Sequence, residues 1–111
     1  MNIYDTVNTL ASEIRQSEEY MNYKMAKQAL ELNTDLKNRI KEFQELRYEI
    51  QMTSIQNGQT EEEKYKKLQD LYTGLIEIAE TKKYLEAEMK FNVLIADVNK
   101  IIGDAIKDVL N

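Results

Sequence analysis

The sequence predicts an all-α fold, an antiparallel bundle of about four to five helices, several of them long, and three observations carry that prediction. There is no proline and there are three glycines in 111 residues, so caps and turns must supply the interruptions. Glu, Lys, Leu, Ile and Ala are abundant, a palette that favours helix over strand. Apolar residues recur at steps of three and four through most of the chain, the spacing that keeps side chains on one helical face. A chain of this length is one domain, residues 1–111, and buries only about two thirds of its unfolded surface.

Residues 2–16 form a short amphipathic segment in which Ile3, Val7, Leu10 and Ile14 share a face, with Ala11 at its edge. Ser17 followed by Glu18 and Glu19 reads as an N-cap with acids in the first turn, where they meet free amides and the positive end of a new helix. That second segment, residues 18–32, carries Tyr20, Tyr23 and Leu30, and Lys24 and Lys27 interrupt its stripe. Asn33, Thr34 and Asp35 offer the next cap. Leu36, Ile40, Phe43, Leu46 and Ile50 then predict a long third helix over residues 35–56.

Asn57-Gly58 is the clearest turn, because both residues tolerate positive φ and glycine closes helices well. The apolar period before it is near 3.6, which makes the turn a helical hairpin and not a β-hairpin. Thr60 with Glu63 fits a capping box. Tyr65, Leu68, Tyr72, Leu75 and Ala79 give the fourth helix its seam, widened by Leu71 and Ile76, with Gly74 off it. Glu80-Thr81 is a further cap-like site, at which the last helix either starts afresh or runs on with a kink, so that residues 35–109 read as one long hairpin turning at 57–60.

The stretch from Thr81 to Asn111 carries the longest stripe: Tyr84, Ala87, Phe91, Leu94, Val98, Ile101 and Ala105, flanked by Leu85, Ile95, Ile102, Ile106 and Val109. It is wider than a coiled-coil seam and needs more than one neighbour. A helix of about 28 residues is roughly 42 Å long, whereas a compact domain of this size has a radius of gyration near ~13 Å. The helix should therefore overhang a compact monomer, and a second copy is the expected cover, in a homodimer or a higher oligomer.

Composition closes most routes to catalysis. With no cysteine and no histidine, the chain lacks a thiolate nucleophile, disulfides, thiolate ligands, the commonest general base and the commonest metal ligand. The formal charge of −5, with both signs interspersed, argues against a nucleic-acid surface. The N-terminus has no basic and apolar leader and no window approaches a membrane span, so a cytoplasmic protein with no membrane span is expected.

Candidate sites have plain readings. Glu61-Glu62-Glu63 lacks the alternating oxygen ligands and glycine of a calcium loop and reads as helix capping. Lys64, Lys66, Lys67, Lys82 and Lys83 stand beside acids and read as solvated faces. Tyr65, Tyr72 and Tyr84 read as packing rings with wet hydroxyls. A di-iron site would recruit histidine, which is absent. Two charged residues depart from the pattern: Glu88 shares its heptad position with Ile95, Ile102 and Val109, and Arg47 falls within the arc of Ile40, Phe43 and Ile50. Either they meet as a guanidinium–carboxylate pair, across helices or across subunits, or both snorkel to water, and snorkelling is the plainer reading.

Asn2-Ile3-Tyr4-Asp5, Ser17-Glu18-Glu19-Tyr20 with Tyr23-Lys24, Phe43 through Gln51 to Asn57-Gly58, Tyr84-Leu85-Glu86-Ala87-Glu88, and Leu94-Ile95 through Asn99-Lys100-Ile101-Ile102 together resemble the YlbF/YmcA family of bacterial control-of-competence regulators, over nearly the whole chain. The likeness is greatest to its short YheA-like branch, of unassigned function. The resemblance implies a small cytoplasmic helical protein forming dimers or tetramers. It also implies a role beside relatives that join a complex affecting competence, sporulation and biofilm formation and that work with a membrane-bound endoribonuclease. Members of that complex give cysteines to iron–sulfur clusters, and this chain has none to give.

The expectation is thus a non-enzymatic regulatory or adaptor protein, with an accessory factor of a ribonuclease complex in RNA processing as the alternative. Its expected partners are itself, other family members and regulatory proteins, with no direct nucleic-acid contact, no cofactor and no metal. The candidate interface or buried polar residues are Arg47, Glu88, Tyr84, Phe91, Leu94, Val98, Ile101 and Ile102.

Overall fold

Short polar side chains set most of the helix boundaries in the computed structural model, which describes residues 2–57 and 62–110. The elements are α1 (Ile3–Gln16), α2 (Glu18–Glu31), α3 (Thr34–Asn57), α4 (Glu62–Ile76) and α5 (Ala79–Leu110), with no strand among the described residues. Asn2 opens α1 by accepting the Tyr4 amide at 2.8 Å. Ser17 serves two helices at once: its Oγ donates to the Ile14 carbonyl at 2.6 Å, closing α1, and accepts from the Tyr20 amide at 3.1 Å, opening α2. One extended residue, Ser17 at φ −69° and ψ 150°, is thus the whole corner between them. Asn33 Oδ1 accepts the Leu36 amide at 3.1 Å and opens α3.

The three boundaries nearest the N-terminus and the two ends of α3 agree with the sequence pattern to within a residue. Gly58, Thr60 and Glu61, which carry the expected turn and most of the expected capping box, lie outside the described residues.

The corner before the last helix differs from the expectation. It falls at Glu77 and Ile78, so Ala79 opens α5 and does not end the seam of α4, and the hairpin expected over residues 35–109 has this second break. Thr81 is the reason. Its side chain is fully buried and does not cap by accepting an amide; its Oγ1 donates to the Leu75 carbonyl and, at 3.2 Å, to that of Ile78. A threonine that resembles an N-cap in sequence thereby adds a donor to one carbonyl in the last turn of α4 and one in the corner, each of which also accepts a backbone amide.

The core lies among α2, α3, α4 and the first half of α5, built on Leu30, Leu36, Ile40, Phe43, Leu75, Tyr84 and Leu85 with Ala26 and Ala87 between helices. Tyr20 meets Phe91 and Tyr23 meets Tyr84, so α2 runs antiparallel to α5. Lys24 and Lys27, which blurred the stripe of α2, are exposed, and its buried face is Ala26 and Leu30.

Two segments leave this core with their apolar faces uncovered. No residue of α1 is buried, and Ile3, Tyr4 and Val7 are exposed. Beyond Val98 every described residue of α5 is exposed. Because the first turn of α2 sits beside Phe91, α1 and the second half of α5 depart from the same end of the α2–α5 pair. The molecule measures 51 × 38 × 17 Å with a radius of gyration of 17.6 Å, well above the ~13 Å of a compact chain this long. Among the described residues, no helix is long and apolar enough to cross a membrane.

Candidate functional site

The charged exceptions in the apolar pattern come together. Glu88 stands one helical turn after Tyr84 on α5, and Arg47 one turn after Gln44 on α3, so each pair shares a face. Side chains reaching between α3 and α5 join the four into one polar cluster at the edge of the core. Arg47 Nη1 donates to Glu88 Oε1 at 3.1 Å, and Gln44 Nε2 donates to Glu88 Oε2 at 3.1 Å and to the Tyr84 hydroxyl at 3.2 Å. The Tyr84 hydroxyl lies 3.4 Å from that of Tyr23, which extends the chain to α2.

Both carboxylate oxygens of Glu88 are therefore engaged, and its side chain is 9% exposed against 38% for Arg47. Snorkelling, the plainer sequence reading, does not describe Glu88: the carboxylate stays inside because two donors meet it there. Arg47 only half follows that reading, since it reaches water while keeping the contact. Its guanidinium also lies 5.3 Å from the centre of the Phe43 ring, a cation–π approach that holds it in place.

Aromatic rings wall the cluster on the α2 side. Tyr23 contacts both Tyr84 and Phe91 with centroids 5.5 Å apart, and Tyr20 meets Phe91 at 6.0 Å. Burial foremost, then the Tyr84 hydroxyl beside it and the negative charge of Glu88, hold the Tyr23 phenol well above its usual range, with Arg47 opposing. The cluster thus presents a carboxylate with both oxygens bonded and a phenol held protonated. It is built to fix three helices in register.

The other candidate residues fall along a gradient on α5. Tyr84 is buried, Phe91, Leu94 and Val98 are half-buried, and Ile101 and Ile102 are exposed. Arg47, Glu88 and Tyr84 meet in the cluster; Ile101 and Ile102 stand far along the overhang. Gln44 was missed, although its spacing of three from Arg47 placed a polar group on the same helical face.

The remaining expectations resolve individually. Of the tyrosines read as packing, Tyr84 is buried, whereas Tyr72 is half exposed against Phe43 at 6.0 Å and Tyr65 is exposed. Lysines meet acids across helix surfaces, as in Lys64 with Glu49 at 2.9 Å, Lys67 with Glu42 at 4.0 Å and Lys82 with Glu86 at 3.9 Å. Among the described residues, no group of three or more acids is placed to hold a metal ion.

Residues 3–107 match the family described as control of competence regulator ComK, YlbF/YmcA. The chain belongs to the YlbF/YmcA family. A UPF0342 protein of Desulfitobacterium hafniense is 36% identical across 99% of this chain and 89% of its own length. A second, from Clostridium novyi, is 32% identical across 97% of this chain and 95% of its own length. A third, from Halothermothrix orenii, is 37% identical across 92% and 86%. These names carry no activity, and the family description speaks of regulation.

Proposed function

We propose that this YlbF/YmcA protein is a non-enzymatic, cytoplasmic regulatory adaptor that acts through helix-mediated protein contacts. Its partners on this reading are a second copy of itself, other family members and regulators of competence, sporulation or biofilm formation. The observation that supports it is the exposed row Ile101, Ile102, Ile106 and Val109 on the overhanging half of α5. An apolar row of this length on a surface marks an interaction site. The polar cluster is in keeping with the non-enzymatic part, since Glu88 and Tyr23 are tied into contacts between helices.

Affinity purification from a native host tests the proposal, with an Ile101→Glu/Ile102→Glu variant as control. Recovery of regulatory proteins by the wild type and their loss with the variant is the expected result. Recovery of ribonuclease components by both would replace it with the RNA-processing alternative, and recovery of neither class would end the adaptor reading.

A further inference from the structure

From the half-used guanidinium of Arg47, we infer that the groove between α3, α4 and α5 docks an amphipathic helix of a partner protein that carries a carboxylate within its apolar stripe. The inference deepens the adaptor reading and rests on it, but it concerns a surface distinct from the overhang of α5.

The groove encloses about 540 Å³ and is open along its length. On α5 it runs from Lys82 to Ala96, roughly 21 Å at ~1.5 Å per residue. Phe43 forms its floor, Tyr72 and Ile76 of α4 form one wall, and Met89 and Val93 of α5 form the other. Tyr72, Ile76, Met89 and Val93 are all exposed. An open trough of this length suits about four turns of helix and encloses a small ligand poorly, since small-molecule sites cover most of the ligand's surface.

Charge selects among helices. Glu88 also lines the groove, but each of its oxygens already accepts a hydrogen bond from Gln44 or Arg47, so the group left with unused hydrogen-bonding capacity toward a visitor is the guanidinium. Of the five N–H donors of Arg47, one has a protein acceptor among the described residues. The rest are held in place by the Phe43 ring and the Glu88 contact, at the edge of an apolar trough. A rigid fork with spare donors pairs best with a carboxylate. Glu86 also stands on the rim, but Lys82 lies 3.9 Å from it and balances its charge. Arginine with tyrosine and methionine is moreover the composition of interface centres.

Two synthetic helical peptides of about 18 residues test this, with leucines at steps of three and four and either one glutamate or one glutamine at the centre of the stripe. Binding to the full-length protein is read by fluorescence anisotropy, and its place by NMR shifts of the Met89 methyl and the Tyr72 ring. The glutamate peptide is expected to bind about tenfold more tightly, the ratio that ~1.4 kcal/mol gives. Arg47→Lys should remove that preference while keeping the charge. Met89→Glu, at an exposed position, should weaken the glutamate peptide more than its twin and leaves the core untouched. Equal affinity for the two peptides overturns the inference. So does binding by neither, tighter binding of decanoate than of either peptide, or shifts at Ile101 and Ile102 in place of Met89 and Tyr72. The last outcome would leave the adaptor reading standing, whereas an unaltered partner set in the Ile101→Glu/Ile102→Glu purification would remove that reading without touching the groove.

Discussion

Arg47 and Glu88, 41 residues apart in sequence, meet at 3.1 Å between α3 and α5, and the contact is lopsided. The carboxylate is shut in, while the guanidinium still reaches water. Removing one partner is therefore not equivalent to removing the other. Arg47→Met strands a buried charge with Gln44 as its one remaining donor and should cost about 2 to 4 kcal/mol, the lower part of the range reflecting the partial exposure of the pair. Glu88→Gln leaves an arginine that water can solvate and should cost about 1 to 2 kcal/mol. Urea denaturation of both single variants and the double variant gives the coupling energy, and equal losses with no coupling would show that the two groups act independently.

Tyr23 gives the fold an alkaline limit. Its phenol is held above its ordinary value of 10.0 by burial and by the Tyr84 hydroxyl. A proton bound more tightly in the folded state stabilises it fully below the unfolded pKa, and that stabilisation is lost as pH rises from there through the folded value. Thermal midpoints should accordingly fall above pH ~10, and fall less in Tyr23→Phe. Parallel declines in the two proteins from pH 8 to 11 would assign the effect to other groups.

At the corner between α4 and α5, Thr81→Val keeps the shape of the side chain and removes its donor. The carbonyls of Leu75 and Ile78 lose that partner in a buried place, which should cost about 1 to 2 kcal/mol. Thr81→Ser, which keeps the hydroxyl, should recover most of the loss. Calorimetry on the pair distinguishes the hydrogen bonds from the packing of the methyl group.

Gly74 and Gly103 lie inside helices, and a Cβ at either would meet nothing within 4 Å. Alanine at each position should stabilise the protein by about 0.5 to 1 kcal/mol through helix propensity and a less flexible unfolded chain. A midpoint lowered by Gly103→Ala at high protein concentration, but not at low, would instead reveal a neighbouring molecule close to that glycine.

The stripe of α3 was legible because Leu36, Ile40, Phe43 and Ile50 keep their period and all four are buried. Ser17 and Asn33 were legible because capping is local chemistry, decided within three residues. Thr81 reads as a cap in sequence but donates in the structure, to a carbonyl in the last turn of α4 and to one in the corner, and nothing in the sequence says whether a threonine hydroxyl will accept or donate. The Arg47–Glu88 contact was legible as an exception with two readings, a pair or two snorkelling side chains, and the choice between them depends on how two helices distant in sequence come together. The apolar face of α1 predicted burial that the single chain does not supply, leaving Ile3 and Val7 exposed.

Sedimentation equilibrium at micromolar concentration tests the adaptor account most directly, comparing the wild-type chain with Ile101→Glu/Ile102→Glu. Both isoleucines are exposed, at 71% and 50%, so the substitutions remove apolar surface without opening the core. The account predicts a wild-type mass at least twice the 13.1 kDa of the single chain, and a variant that sediments as a monomer with its helicity unchanged. A wild-type protein at 13.1 kDa would contradict it, because the exposed stripe would then have no second copy to cover it.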